Sequence, residues 1–180
     1  MSTDTRPADD NPLDDFTDCH AGIIDRLTAL DELPALAAAA AHARELAGRL
    51  LDFFDEVVEQ HHTDEEQELI PAVLAAAEPG EEAERAELLA NRIIAEHRAL
   101  ELMWGRIRPH VKRIAKAQQA ELDGSDVAEL VADYKGHAAF EETEFLPLAQ
   151  RILARKSNDL AALGMSLHIR RTVDRVVPYV

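Results

Sequence analysis

Apolar positions along this chain recur at alternating spacings of three and four, the pattern of amphipathic helices packed in a bundle. Four such stripes are legible. They are Phe16, His20, Ile23, Leu27 and Leu30; Leu50, Phe54, Val57, His61 and Glu65; Ile93, His97, Leu100, Trp104, Ile107 and Val111; and Leu130, Tyr134, His137, Glu141, Phe145 and Leu148. The punctuation between them sets the expected elements. Asn11-Pro12 supplies an N-cap and first helical position, and helix one runs to about Asp31. Pro34 opens a long, Ala-rich helix two that reaches about Ala77, where Glu78-Pro79-Gly80 makes a turn. Helix three spans about 81–120, and Leu122-Asp123-Gly124-Ser125 is the next break, with Ser125 or Asp126 as cap. Helix four extends to about Lys156, and Ser157-Asn158-Asp159 starts a short helix to about Arg171. The expected fold is all-α: an antiparallel up-down four-helix bundle over 12–156, after a disordered acidic tail at 1–11 and before a short extra helix and tail at 157–180.

These stripes hold groups foreign to an apolar core. Each of the four contains one histidine, and two contain a glutamate as well. Left unpaired in a core, each such group costs several kcal/mol. The two glutamate-bearing stripes also carry the same phrase: His61-His62-Thr63-Asp64-Glu65-Glu66-Gln67-Glu68-Leu69-Ile70-Pro71 recurs as His137-Ala138-Ala139-Phe140-Glu141-Glu142-Thr143-Glu144-Phe145-Leu146-Pro147. A His and a Glu four apart share one helix face. Pro71 and Pro147 predict a kink one or two turns after each Glu. His20 and His97 extend the repeat, giving a unit of one helix with a His and one with His-x-x-x-Glu, used twice. Composition alone gives roughly 1.6 His-x-x-x-acid pairs by chance, while His61/Glu65, His62/Glu66, His97/Glu101 and His137/Glu141 are present. The duplication, the shared proline and the core register raise His61, Glu65, His137 and Glu141 above that background. The spacing to the proline favours His61 over His62, whose counterpart is Ala138. His62 reads as a supporting or solvated residue, and His42, His110 and His168 as surface or packing residues. Glu66 and Glu142 lie about 100° around the helix from the paired Glu, which suits a supporting or surface place. Glu101, one turn after His97, has several readings: an added ligand, a proton handler, a partner of a ligand, or a solvated side chain.

Composition narrows the function classes. A length of 180 residues suits one domain with a sizeable core, and a net charge of −16 lacks the footprint of a nucleic-acid binder and disfavours anionic membranes. The chain has neither an apolar signal core near its start nor an apolar run long enough to span a bilayer, so the expected location is cytoplasmic. The single cysteine, Cys19, excludes an internal disulfide, fits a reducing compartment and reads as a small packing group rather than a ligand.

Four His and two Glu are too many for one tetrahedral zinc and too nitrogen-rich for calcium or magnesium. Two ions about 3.5–4 Å apart, bridged by the carboxylates, suit the inventory better. Mixed imidazole and carboxylate ligation favours iron, with manganese or zinc as substitutes.

The pattern His20, His61-x-x-x-Glu65, His97, His137-x-x-x-Glu141 resembles the hemerythrin-like proteins, the HHE cation-binding domain family, over about residues 14–155. The resemblance implies an antiparallel four-helix bundle around a non-heme diiron centre with an oxo or hydroxo bridge. It makes His20, His61, His97 and His137 terminal ligands, with Glu65 and Glu141 bridging. Oxygen-carrying members have a further His where this chain has Glu101, so reversible O2 carriage is not implied. The pattern is more similar to bacterial members linked to peroxide breakdown, nitric-oxide handling or repair of iron sites. An enzyme acting on H2O2 or NO is therefore expected. The competing readings are an O2 or NO sensor or carrier and an iron store. The roughly 25 residues after the bundle are short for an output domain, which disfavours a self-contained sensor, and no protein partner is indicated. Tyr134 and Trp104, one or two turns from ligand positions, would shield the site or pass electrons, or simply pack.

Overall fold

The computed structural model describes the backbone of residues 12–155 and the side chains of residues 19–155. The expected tail at 1–11 and the terminal helix at 157–171, with His168, lie outside the described residues. Within them every regular element is helical and no helix is long and apolar enough to cross a membrane. Three rods are present. The first, α1, covers 12–76 as an α-helix Pro12–Asp52, a π-helical turn Phe53–Val58, a short α-helical piece Glu59–Asp64, a second π turn Glu65–Leu69 and a last piece Ile70–Ala76. The second, α2, is Glu81–Ala115. The third, α3, covers 124–154 as Gly124–Phe140, a π turn Glu141–Phe145 and Leu146–Ala154.

The connections follow from local chemistry. Ala77 leaves the helix with ψ 141°, and Gly80 takes φ +105°, a conformation open to glycine at little cost. At the end of α2, Ala117 takes φ 54°, and the amides of Gln118 and Ala117 donate to the carbonyls of Arg113 and Ile114. This is a Schellman-type ending with alanine in the place usually held by glycine. It stops α2 at Ala115, earlier than the expected Ala120, because no glycine marks it in the sequence. The cap of α3 is Asp123, not Ser125 or Asp126: its Oδ1 accepts from the Ser125 amide at 2.8 Å.

The expected kinks at Pro71 and Pro147 take a particular form. Proline has no N–H and its ring collides with the carbonyl four residues back. Just before each proline the helix widens into a π turn. The Ile70 amide donates to the Glu65 carbonyl, and that of Leu146 donates to Glu141. The extra residue held by each turn relieves the clash and changes the direction of every side chain beyond it.

The main departure lies in α1. The expected hinge at Pro34 is absent, and the helix runs through it. A single proline is carried because no glycine stands between Gly22 and Gly48, and Ala37–Ala41 is an uninterrupted run of the best helix former. Ala47 is the first buried residue of α1 among the described side chains. The stretch before it projects, with Ile23, Ile24, Leu27, Leu30, Leu33 and Leu36 all more than 45 % exposed. At 100° per residue, the face of His20, Ile23, Leu27 and Leu30 lies roughly opposite that of Ala47, Leu50 and Phe54. The two halves of α1 therefore carry separate packing surfaces, and only the second half is packed here.

Two apolar clusters form the core. One joins Leu69, Ile70 and Val73 of α1 to Ala86, Leu89 and Ile93 of α2 and Phe145, Leu148 and Ile152 of α3. The other joins Ala47, Phe54, Leu100, Trp104, Ile107, Val111 and Leu130. Between these layers lie His97 on α2 and His137 on α3. Arg108 of α2 clasps Asp55 of α1 with bonds of 2.5–3.2 Å, which fixes the rotation of one rod against the other. Replacing Phe145, 1 % exposed at the centre of the first cluster, by alanine will lower stability by about 3–5 kcal/mol. Leu102→Ala, at a position 70 % exposed, will change it by less than about 0.5 kcal/mol. Urea unfolding midpoints of the two variants check both.

Candidate metal centre

The site is assembled from three rods. Glu65 opens the second π turn of α1, His97 lies between Ile93 and Leu100 in the buried stripe of α2, and His137 and Glu141 sit one turn apart on α3. All four are less than 9 % exposed, and one ligand atom from each lies within 4.8 Å of every other. His97 Nε2 is 3.3 Å from Glu65 Oε2 and 3.8 Å from Glu141 Oε1, while His137 Nε2 is 3.1 Å from Glu141 Oε1. A second, overlapping group is His62, His97 and His137. The His62 ring stacks on that of His97 at 3.8 Å with the planes 8° apart.

These close approaches leave polar atoms unsatisfied. His62 Nε2, Glu65 Oε2, His97 Nε2, His137 Nε2 and Glu141 Oε1 are all buried, and their mutual geometry makes no hydrogen bond. Buried atoms of this kind normally have a partner. These atoms fall into two overlapping groups, His62, His97 and His137, and Glu65, His97, His137 and Glu141, each a donor set that a transition-metal cation would satisfy. The residues present therefore fit a bound cation.

The outward sides of the rings are held by carboxylates. His97 Nδ1 pairs with Glu66 Oε1 at 2.8 Å, and His137 Nδ1 with Glu96 Oε2 at 3.1 Å. Each carboxylate is in turn gripped by arginine: Arg98 donates to Glu66 at 2.5 Å, and Arg92 donates to Glu96 at 2.7 Å while lying over the Phe140 ring at 3.6 Å. Placing the proton on Nδ1 leaves Nε2 as a lone pair toward the centre and raises its basicity. Glu66 thus supports a ring, as its repeat position allowed, whereas its counterpart Glu142 is exposed. Glu96 was not legible in the sequence. It has no counterpart in the repeat, and its spacing to Arg92 reads as an ordinary surface pair.

Other candidates are placed differently. His20 is exposed on the projecting part of α1 and apart from the cluster. His61 is 47 % exposed with its Nε2 3.7 Å from Glu65 Oε1, while its neighbour His62, 4 % exposed, points inward. The cause is the first π turn. The Glu59 amide donates to the Phe54 carbonyl, so the turn holds one extra residue and brings Val58 and His62 inward where uniform spacing selected Val57 and His61. Glu101 is half exposed, bonded to Arg98 at 2.7 Å and 3.9 Å from His62 Nδ1. Cys19 and His42 are exposed and His110 is half-buried. A cavity of about 560 Å³ opens beside His62, walled by Phe54, Leu100, Trp104, Leu130 and Tyr134, with Arg98 and Glu101 among its polar residues. The Tyr134 ring lies 5.9 Å from that of His137.

Electrostatics follow the packing. Burial pushes against a charge on His97, but the nearby carboxylates of Glu141, Glu65 and Glu66 outweigh it and raise its pKa to about 10. His137 is raised as well, with burial overcome by Glu141 and Glu96. His62, buried and crowded by the other histidines, is lowered to about 3. Burial works against the Glu141 carboxylate, yet His137 and His97 hold its pKa down to about 2. Burial first, then the charges of Glu141 and Glu65, push Tyr134 up to about 12.

Comparison with known proteins agrees with this geometry. The family model described as Hemerythrin HHE cation binding domain matches residues 11–149. No curated protein and no solved structure matches the chain.

The metal-free protein will be most stable near neutral pH. His97, raised from 6.5, contributes fully below pH 6.5 and loses its contribution as pH climbs toward 10. His62, lowered from 6.5, contributes above pH 6.5 and loses its contribution as pH falls toward 3. Urea midpoints between pH 4 and 10 will trace a dome, and a flat profile would contradict the assigned charges. Glu96→Ala will weaken metal binding about 10–100-fold by freeing the His137 ring, while Glu142→Ala leaves it unchanged. Competition with a chromophoric chelator measures both.

Proposed function

This chain belongs to the hemerythrin HHE cation-binding family, and we propose that it is a non-heme diiron protein that decomposes peroxide or processes nitric oxide. The observation that carries the reading is the close grouping of buried, unsatisfied atoms of Glu65, His97, His137 and Glu141, overlapped by a group of His62, His97 and His137, beside a cavity of about 560 Å³. In this reading Glu65, Glu141, His97, His137 and a histidine of the His61-His62 pair would hold two irons. His20 joins when the projecting half of α1 is laid against the open side of the three rods, completing a four-helix bundle. The two irons would supply redox equivalents and Lewis acidity for a small oxygen or nitrogen species.

The rest of the chemistry belongs to the chain. Glu66 and Glu96 hold His97 and His137 with Nε2 facing inward. Phe54, Trp104 and Leu130 form an apolar side of the cavity, alongside charged residues such as Arg98 and Glu101. Tyr134, whose hydroxyl is kept neutral by its raised pKa, would line the site as an uncharged hydrogen-bonding group beside His137. Glu101, anchored by Arg98 at the exposed end, is placed to exchange protons with solvent. A carboxylate there, in place of a further imidazole, leaves the two metal positions more alike. This favours turnover over reversible O2 carriage.

Iron-loaded protein is expected to hold roughly two irons per chain and to evolve O2 from H2O2. Glu141→Ala will bind less than half as much iron and lose the activity. Elemental analysis and an oxygen electrode measure the two. Peroxide that survives while O2 or NO binds reversibly, with a visible charge-transfer band, would replace the enzyme by a sensor or carrier.

A further inference from the structure

We propose that the projecting half of α1 completes the metal site of a second copy of this chain, so that the protein is a helix-exchanged dimer in which His20 of each copy serves the other. The proposal rests on the diiron reading, through the place it gives His20, and on the following geometry.

Along a helix each residue rises about 1.5 Å, so His20 and His61 stand about 60 Å apart on α1. For both to reach the same level of a bundle, the chain must reverse midway between them, at about residue 40. A reversal at Pro34 leaves His20 about 20 Å short of the level of His61. The midpoint falls inside Ala37–Ala41, the strongest helix-forming run in the chain, with no glycine, asparagine or proline to turn on. The helix is continuous there.

Exchange turns the same midpoint from an obstacle into the place where a two-fold axis crosses the rods. Two α1 rods laid antiparallel and crossing near residue 40 bring His20 of each level with the His61-His62 pair of the other. No helix is broken, and both sites are completed at once by an isologous contact. The surfaces that would meet are present in each copy. On the projecting half they are Ile23, Leu27 and Leu30, each 47–56 % exposed. On the body, α1 and α3 both pack on α2 and meet each other chiefly at the end formed by Ile70–Ala76 and Leu146–Ala154. Phe53 and Val131 are left 40 % and 46 % exposed, and His61 stands open beside Glu65. A monomer of this shape would leave both apolar surfaces in water.

Light scattering on the metal-free full chain is expected to give about 40 kDa, twice the 19.9 kDa of one chain. The double substitution Ala39→Gly/Ala40→Gly makes a hairpin possible at the midpoint and is expected to shift the mass toward about 20 kDa while metal binding is retained. Co-refolding His20→Ala with Glu141→Ala is expected to give more bound iron per chain than either variant alone. Only exchange places an intact His20 beside an intact Glu141. A monomeric wild-type chain would overturn the proposal, as would a dimer in which the mixed variants recover no metal. An exchanged dimer, by mass and by its response to the glycine pair, that holds no iron would sustain the exchange and overturn the diiron reading instead.

Discussion

The constraint on which this fold turns is the burial of ionisable groups at its centre. His97 is fully buried and His137, Glu65 and Glu141 nearly so, in a layer closed above and below by aliphatic clusters. Hydrocarbon cannot solvate an isolated carboxylate or imidazolium, so the groups must neutralise one another or be neutralised together. Everything around them serves that end. Glu66 and Glu96 fix the outer nitrogens, and Arg98 and Arg92 hold those carboxylates in turn. Replacing the layer with packed aliphatic side chains would suit stability as well or better. Its presence therefore points to the cation it would hold.

The same constraint gives the π turns a purpose. Both Glu65 and Glu141 are the first residues of such turns, and in both the turn ends just before a proline. A regular helix would meet the proline with a steric clash and one unpaired carbonyl. The widened turn absorbs that defect next to the site. It fixes the carboxylate at the start of the turn while the chain beyond is redirected to pack Ile70 and Leu148 into the core. The proline is thus part of how the acid is aimed.

What could be read from the sequence follows from this. The duplicated phrase with its proline singled out His61, Glu65, His137 and Glu141, and the apolar stripe of α2 singled out His97, because a regular period and a repeat are properties of the sequence itself. The structure brings Glu65, His97, His137 and Glu141 together and leaves His61 exposed at the edge. His62 was not legible as the inward residue, since the π turn at Phe53–Val58 breaks the period one turn before it. Glu96 was hidden because its function depends on α3 lying across from it, a tertiary fact that no local spacing records. The capping Asp123 was passed over for its equally suitable neighbours, and the end of α2 lacks the glycine that would have announced it. The membership of residues 11–149 in a known family came through the His and Glu pattern rather than through helix boundaries, which are the weaker signal.

The long first helix is where local and global preferences meet. Two stripes on opposite sides of α1 state that its halves pack in different places, which is why the sequence reads as two helices. Composition states the contrary, for nothing between Gly22 and Gly48 except Pro34 opposes a helix. A fold that satisfies both keeps the rod whole and packs its halves on different bodies. A fold that bends the rod must break it in polyalanine. Local propensity in this chain therefore bears directly on whether the buried ionisable layer could be covered by its own first helix or by that of a neighbour. Site chemistry and assembly are then one question, decided by a few alanines about 30 Å along the rod from the nearest candidate ligand.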